Sequence, residues 1–486
     1  MIELPDLSTL SHEQKDALIL FLFQLVQKQD QQIKLLTARA TELEAKVAEL
    51  EARLSMNSKN SSKPPSSDGL RKTQSLRTPS GKSPGGQKGH PGNTLKKALN
   101  ADKIINHPLP KKCQGCGNEL NEGSAELHEA RQVFDIPIKR YEVTEHRTFQ
   151  VRCTCGQIHQ SNFPQAITET VQYGPNIKAL GVDLVQGEFV PFQRSSQLLC
   201  RMYGLALSPA TILNWVQEAS VLIKPHVETI KEHLVAAPLV HADESGFRVA
   251  SALNWLHIVA TKSLTWYGVH AKRGIEAIKD HGILTERRGA LVHDCWKPYW
   301  RLNGQHILCN SHLVRELNFV FESTQEDWAK RLSQLLIRAN KQCDKARQVG
   351  QTKLHSWQVS RINNSYWALL AEAGKLNPAL DRRERKRGRI KQSFAFNLLR
   401  RLRQYADEIL HFTRDLEIPF TNNVAERAVR MPKVKIKISG CFRTFKGAQD
   451  FCTIRSYLDT MKKQGHNILE VLRDTFNGYA PSPASG

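Results

Sequence analysis

Three carboxylates stand where they could do chemistry. Asp243 follows the apolar run Pro238-Leu-Val-His-Ala, and the apolar pattern resumes beyond it as Phe247 and Val249. Asp294 closes a second apolar run, Gly289-Ala-Leu-Val-His. Glu426 sits in Thr421-Asn-Asn-Val-Ala-Glu-Arg-Ala-Val-Arg430, which reads as the first turns of an Arg-rich helix. A carboxylate at the end of a hydrophobic strand is costly unless positive charge meets it. Two strand ends and a helix, each delivering one acid, supply what a pair of divalent metal ions needs. Singly, each acid has a duller explanation: Asp243 and Asp294 as turn or cap residues, Glu426 as the capping-box partner of Asn423. Their order and their flanks favour the metal site.

A second group of residues surrounds these acids. Arg427, Arg430, Lys433, Lys435, Lys437 and Arg443 follow Glu426 closely, and such positive density beside an acidic metal site suits a polyphosphate substrate. Cys113-Gln-Gly-Cys116-Gly and Cys153-Thr-Cys155-Gly are thiol pairs at knuckle spacing, the pattern of a four-thiolate structural zinc ribbon. A single residue separates the second pair, so His159 is an alternative fourth ligand. Cys309-Asn-Ser-His312 offers two ligands without a second pair, which is a poor metal site taken alone.

The elements that must position these residues can be read in order. Residues from about Ile19 to Leu54 form a helical pattern, with Ile33, Ala40, Val47 and Leu54 in one heptad register and Leu36, Leu43 and Leu50 in the other. This predicts a coiled coil of about three heptads and hence self-association. Residues 55–97 are rich in Ser, Pro, Gly and Lys, a basic linker that cannot bury enough apolar surface to order itself. The zinc-ribbon region is expected over 98–165 and a helical DNA-binding region over 166–234. In the latter, Gln193 to Gly204 and Ala210 to Ser220 form a helix-turn-helix-like pair, with Ser208 as cap and Pro209 at the first helical position. Strands follow at Asn254 to Ala260 and Leu264 to His270, then a helix around Ile275 to Leu284. A strand ending at Asp294, a strand His306 to Cys309 and a helix from about Ser311 complete the set. From about Phe319 to Phe412 the chain is helical and polar, broken by the basic run Asp381 to Arg389.

The words HADESGFRV (241–249), LVHDCWKPY (291–299), CNSHLVREL (309–317) and FTNNVAERAVR (420–430) resemble the transposases of the insertion sequence 66 family, and the likeness extends over nearly the whole chain. The resemblance implies an α/β catalytic core over 235–480: a ribonuclease H-like mixed sheet interrupted by an all-helical insertion at about 320–415. It implies that Asp243, Asp294 and Glu426 hold two Mg²⁺ (or Mn²⁺) ions, and that His312 has a hydrogen-bonding or DNA-positioning role. The implied reaction is cleavage and strand transfer at the ends of an insertion sequence. Its partners would be double-stranded terminal repeats and target DNA, a second protomer or more, and potentially companion proteins of the element. Two rival readings accompany it: a ribonuclease H-like nuclease or resolvase that cuts without joining, and a catalytically inactive DNA-binding descendant of a transposase.

Composition bounds the same answer. With 486 residues there is room for two or three domains, and a formal net charge of +22 asks for a polyanionic partner. Ten cysteines are too few for a disulfide-rich secreted scaffold of this length. No signal peptide is recognisable, and Ile19 to Val26 is far too short to span a bilayer, so a bacterial cytoplasm, with nucleoid association when DNA-bound, is the expected compartment. With reference pKa values near 4, all three acids are expected to be ionised at neutral pH.

Overall fold

The N-terminal helix begins at a capping box. Ser11 N–H donates to Gln14 Oε1 at 3.0 Å and Gln14 N–H donates to Ser11 Oγ at 3.3 Å. Two otherwise orphaned donors are thereby satisfied, and α1 (His12–Leu54) starts about two turns before Ile19, where the sequence pattern begins. Its seam residues Ile33, Leu36, Leu43, Val47 and Leu50 are all exposed. The computed structural model describes residues 9–54, 56, 97–107, 110–119, 126–134, 141–155, 157–379 and 392–485. Nearly all of the linker and the basic run Asp381 to Arg389 therefore lie outside the described residues.

The chain divides into two compact units, one of residues 75–172 with 193–209, the other of 1–74, 173–192 and 210–486. The smaller holds a hairpin of β1 (Gln150–Arg152) and β2 (Ile158–Gln160). In the larger, α2 (Pro175–Val182) precedes a π-helical turn at Asp183–Gly187. Most of α3 (Phe192–Tyr203) belongs to the smaller unit, and Gly204 follows it at φ 72°. α4 (Pro209–Ala236) starts at the expected proline but runs 28 residues, far past Ser220. Ile212, Trp215, Ala219, Ile223, Val227, Ile230 and Leu234 recur along it at helical spacing and are buried, which explains its continuation.

The larger unit is built on a five-stranded mixed sheet of β3 (Leu239–Val249), β4 (Ala252–Ala260), β5 (Thr265–His270), β6 (Ala290–His293) and β7 (His306–Leu308). The strand order is β5-β4-β3-β6-β7; β3, β4 and β5 are antiparallel, while β6 and β7 run parallel to β3. Between β5 and β6 lie α5 (Ile275–His281) and α6 (Ile283–Glu286); after β7 come α7 (Asn310–Thr324), α8 (Asp327–Gln348), α9 (Ser356–Leu376), α10 (Phe394–Gln404) and α11 (Ala406–Leu410). The chain then adds α12 (Asn423–Ser439), α13 (Phe445–Lys463) and α14 (Ile468–Phe476). One apolar cluster joins Val292, Ile307 and Leu308 of the sheet to Leu317, Trp328, Leu336, Tyr366, Leu398 and Phe412 of the helical segment. Another joins Phe247, Leu256, Ile258 and Tyr267 to Val429, Phe442 and Phe451. Each such buried side chain contributes roughly 1.5–3 kcal/mol.

The exposed flank of β5 is closed by hydroxyls. Thr265 N–H donates to Thr460 Oγ1 at 3.0 Å and Tyr267 N–H donates to Ser456 Oγ at 2.9 Å. Residues 456 and 460 lie one turn apart on α13, so a single helix face satisfies two donors that would otherwise leave an open edge. Among the described residues no helix is long and apolar enough to cross a membrane.

Burial also stores a titration. His241 and His257 are pulled down to about 4 and His281 and His293 to about 3, in each case first by burial. His281 Nε2 has no partner among the described residues; the ring lies against Trp266 and His257, 4.9 and 5.1 Å between centroids. A histidine whose folded pKa is depressed stabilises the fold fully above its unfolded value near 6.5, and that stability is lost as pH falls toward the folded value. Between pH 6.5 and 5 this amounts to at most about 2 kcal/mol for one group. His281→Phe should therefore be less sensitive to acid than the parent, measured as the difference in denaturant midpoint between pH 7 and pH 5. Identical differences would show that His281 does not titrate with folding.

Candidate active site

Register sets the first two acids side by side. β3 pairs with β6 at Leu239↔Ala290, Val240↔Leu291 and His241↔Val292; continued two steps past the last pair, that register would place Asp243 level with Asp294, whose carboxylate is near enough to raise it. Asp243 does not end its strand, as the sequence suggests; β3 continues to Val249 against β4. What ends near Asp243 is the parallel pairing on its other flank, since β6 stops at His293. Glu244 N–H donates to Asp243 Oδ1 at 2.8 Å and Trp296 N–H donates to Asp294 Oδ1 at 3.1 Å.

The expectation that all three acids are ionised fails at Asp243. Burial first, then the neighbouring carboxylates of Glu244 and Asp294 and, more weakly, Glu426, push its carboxyl up to about 8. Without a cation, burial and these neighbours favour the protonated carboxyl.

Glu426 arrives on α12, which is fastened along β3 at both ends. At its start, buried Asn422 donates from Nδ2 to Ala242 O at 2.7 Å, and its Oδ1 lies 2.9 Å from His241 Nδ1. The Asn422 backbone N–H donates to Cys309 Sγ at 3.1 Å. Asn422 rather than Asn423 is the N-cap, and its side chain does no capping, so the capping-box explanation of Glu426 does not hold. At the far end, Phe442 N–H donates to Arg248 O at 3.2 Å and Ala250 N–H donates to Phe442 O at 2.7 Å. These bonds hold the β3–β4 turn, where Ala250 and Ser251 adopt φ 47° and 65° without a glycine. In the middle, Pro432 cannot donate to the carbonyl of Ala428. Tyr267 Oη lies 3.1 Å from that oxygen and 2.5 Å from Asp459 Oδ2, sharing its proton between them.

Glu244 turns to the opposite side of β3 from Asp243. There it accepts from Arg273 at 2.5 and 3.1 Å and from Tyr299 Oη at 2.6 Å. The Arg273 guanidinium lies over the rings of Trp255 and Trp296, 4.8 and 4.4 Å from their centroids. Neither Arg273 nor Tyr299 is visible as a site residue in the sequence, although the Trp296 beside Asp294 was a clue.

A different triplet is the tightest metal-ligand set among the described residues. Cys309 Sγ, His312 Nδ1 and a Glu426 oxygen all lie within 4.8 Å of one another. Both Cys309 Sγ and His312 Nδ1 are 3.7 Å from Glu426 Oε1. Burial pulls the His312 imidazole down, but Cys309 and Glu426 outweigh it and hold it up at about 9.

On α12, Arg427, Arg430 and Lys437 are exposed, as is Arg443 beyond it, and Lys433 is half-buried. Lys435 is occupied otherwise: it donates to Gly440 O at 3.0 Å and covers the Phe442 ring at 3.5 Å, and burial lowers it to about 8. In the smaller unit each cysteine pair caps a hairpin. Lys112 bridges to Glu119, Gly117 turns at φ 79°, and Cys113 N–H donates to Asn118 O at 2.8 Å. Cys153 N–H donates to Gln157 O at 2.8 Å at the tip of β1–β2. Backbone N–H groups, chiefly those of Cys116 and Cys155, hold the Cys113 and Cys153 thiols below their ordinary value. Among the described residues no three of the four sulfurs lie within 4.8 Å. His159 is exposed on β2 opposite Val151.

A family model described as Transposase IS66 family matches residues 170–450, and one described as a family of unknown function (DUF6444) matches residues 2–96. No curated protein matches the chain.

Asn422 is the residue whose loss should free Glu426 from β3. Asn422→Ala removes two buried side-chain bonds, to Ala242 O and to His241, a cost of about 2–4 kcal/mol. Urea denaturation should register it. A loss under about 1 kcal/mol would mean that the junction is held without it.

Proposed function

The chain belongs to the IS66 family of transposases, and from that premise we propose that it cleaves and joins DNA strands with Asp243, Asp294 and Glu426 as its catalytic carboxylates. The observation that carries this reading is the closeness of Asp294 and Glu426 to Asp243, whose carboxyl both raise, with β3 and β6 in parallel register just before the two aspartates. The strand order and the helical segment between β7 and α12 support the ribonuclease H-like reading of the core.

The donor set fits a hard divalent cation. All three groups offer only carboxylate oxygens, the ligands Mg²⁺ or Mn²⁺ prefers, and the crowding that keeps a proton on Asp243 is relieved by any cation of higher charge. Two Mg²⁺ ions held by these residues would supply Lewis acidity to the attacking oxygen and to the leaving 3′-oxygen of an in-line displacement. The chain's own contribution is orientation. The β3–β6 register fixes the two aspartates, the Asn422 and Phe442 contacts fix Glu426 against them, and Glu244 is kept aside by Arg273 and Tyr299. Along α12, Glu426, Arg430, Lys433 and Lys437 recur at helical spacing on one face and span roughly 16 Å, so phosphates leading to the scissile position would meet a basic row. Water serves as the first nucleophile and a 3′-hydroxyl as the second, with no covalent link to the protein.

The remaining assignments belong to the same proposal. The two hairpin tips bearing Cys113, Cys116, Cys153 and Cys155 would close on one structural zinc, and with the helix pair around Gly204 they would recognise the element's ends. The exposed heptad seam of α1 would pair with that of a second protomer, which synapsis of two ends requires.

Asp243→Asn, Asp294→Asn and Glu426→Gln should each lower strand cleavage and strand transfer at least about 100-fold. Binding to terminal-repeat DNA should persist and fall steeply with salt, as counterion release requires. Glu244→Gln should act mainly on stability, since it weakens an ion pair whose carboxylate is buried and whose guanidinium is partly exposed. Near-normal strand transfer by Glu426→Gln would remove Glu426 from the set.

A further inference from the structure

Cys309, His312 and Glu426 are brought together from the end of β7, the first turn of α7 and the first turn of α12. The separations fit one tetrahedral ion. Bonds of about 2.3 Å to sulfur and about 2.0 Å to nitrogen and oxygen set ligand-to-ligand edges of roughly 3.3–3.6 Å. The two edges that meet at Glu426 Oε1 measure 3.7 Å each. Those two edges are within a few tenths of an ångström of coordination, and the third, from Cys309 to His312, is no longer than 4.8 Å.

Two independent features point to a ligand. Among the described residues His312 Nδ1 is buried without a partner at full hydrogen-bond geometry, and the Glu426 carboxylate lies 3.7 Å from it. Cys309 Sγ is surrounded as a metal-bound thiolate is: the Asn422 N–H donates to it at 3.1 Å and Ser311 Oγ lies 3.1 Å away. Cys309 is also the N-cap residue of the 15-residue α7. Such outer contacts tune and orient ligands.

We propose that Cys309, His312 and Glu426 form a binding site for a thiophilic divalent ion of the Zn²⁺ type, separate from both the carboxylate pair and the cysteine hairpins. One sulfur, one nitrogen and one oxygen discriminate against Mg²⁺, which takes oxygen ligands, and in favour of Zn²⁺. Three protein ligands leave a fourth position open to solvent or substrate. Because Glu426 is common to both sets, zinc bound here withdraws that carboxylate from the Mg²⁺ pair; this consequence rests on the function proposed above. The transposase would then be held inactive by zinc and released as zinc is removed.

The test is zinc stoichiometry on the full chain. Reduced protein, stripped of metal by a chelator and dialysed against a fixed low free Zn²⁺ concentration, is analysed for zinc beside His312→Gln and Cys309→Ser. Wild type should hold one more zinc per chain than either variant, whatever the cysteine hairpins hold. Cys309→Ser also loses an acceptor for Asn422, so His312→Gln, checked for an unchanged circular dichroism spectrum, decides the matter. If it does not fold, half-buried Glu426→Gln takes its place. Equal zinc content in wild type and a folded His312→Gln overturns the site. Millimolar Mg²⁺ should weaken the extra zinc at least about threefold by competition for Glu426. Loss of the zinc in His312→Gln with no effect of Mg²⁺ would keep the zinc site and overturn the sharing of Glu426.

Discussion

The arrangement depends on one constraint: a helix carrying a carboxylate is fastened lengthwise onto a strand carrying another. Asn422 and Phe442 join the two ends of α12 to β3, and Tyr267 supplies the donor that Pro432 cannot. These contacts hold Glu426 near enough to Asp243 for its charge to add to the burial and to the Glu244 and Asp294 carboxylates that raise that acid. Perturbed carboxyls of this kind cluster where functional sites are built.

Glu244 shows how the same strand manages two adjacent acids. Alternation sends the side chains of 243 and 244 to opposite sides. On one side Glu244 accepts from Arg273 and Tyr299, although burial and the Asp294 carboxylate still raise it. On the other, among the described residues, Asp243 accepts from one backbone N–H. A carboxylate short of donors is more open to a ligand than one well supplied, and of the two adjacent acids that is Asp243.

Much of this was legible in the sequence because strands and helices advertise themselves locally. The apolar runs before Asp243 and Asp294 gave the strands, and the elements of the mixed α/β core followed in the expected order. What was not legible is non-local. Asn422 lies 181 residues from His241 and Glu426 lies 117 from Cys309. No period or spacing links such positions, so the pair Cys309 and His312 looked like an incomplete site. The charge state of Asp243 was misjudged for the same reason, since burial and neighbouring charge are properties of the folded chain. The early start of α1 is a different miss, because the Ser11 and Gln14 signal was present and local. Lys435 is a third kind: its type matched its neighbours, but the end of α12 uses it to cap Gly440.

Glu426 is where these arguments meet. Its charge adds to those that raise Asp243 on β3, and Cys309 Sγ and His312 Nδ1 each lie 3.7 Å from its Oε1. Under the two proposals above, a hard ion and a soft ion would each call on this one carboxylate, and occupancy of the two sites would be exclusive without any domain movement. Which ion prevailed would then be set by coordination preference and availability, not by overall charge.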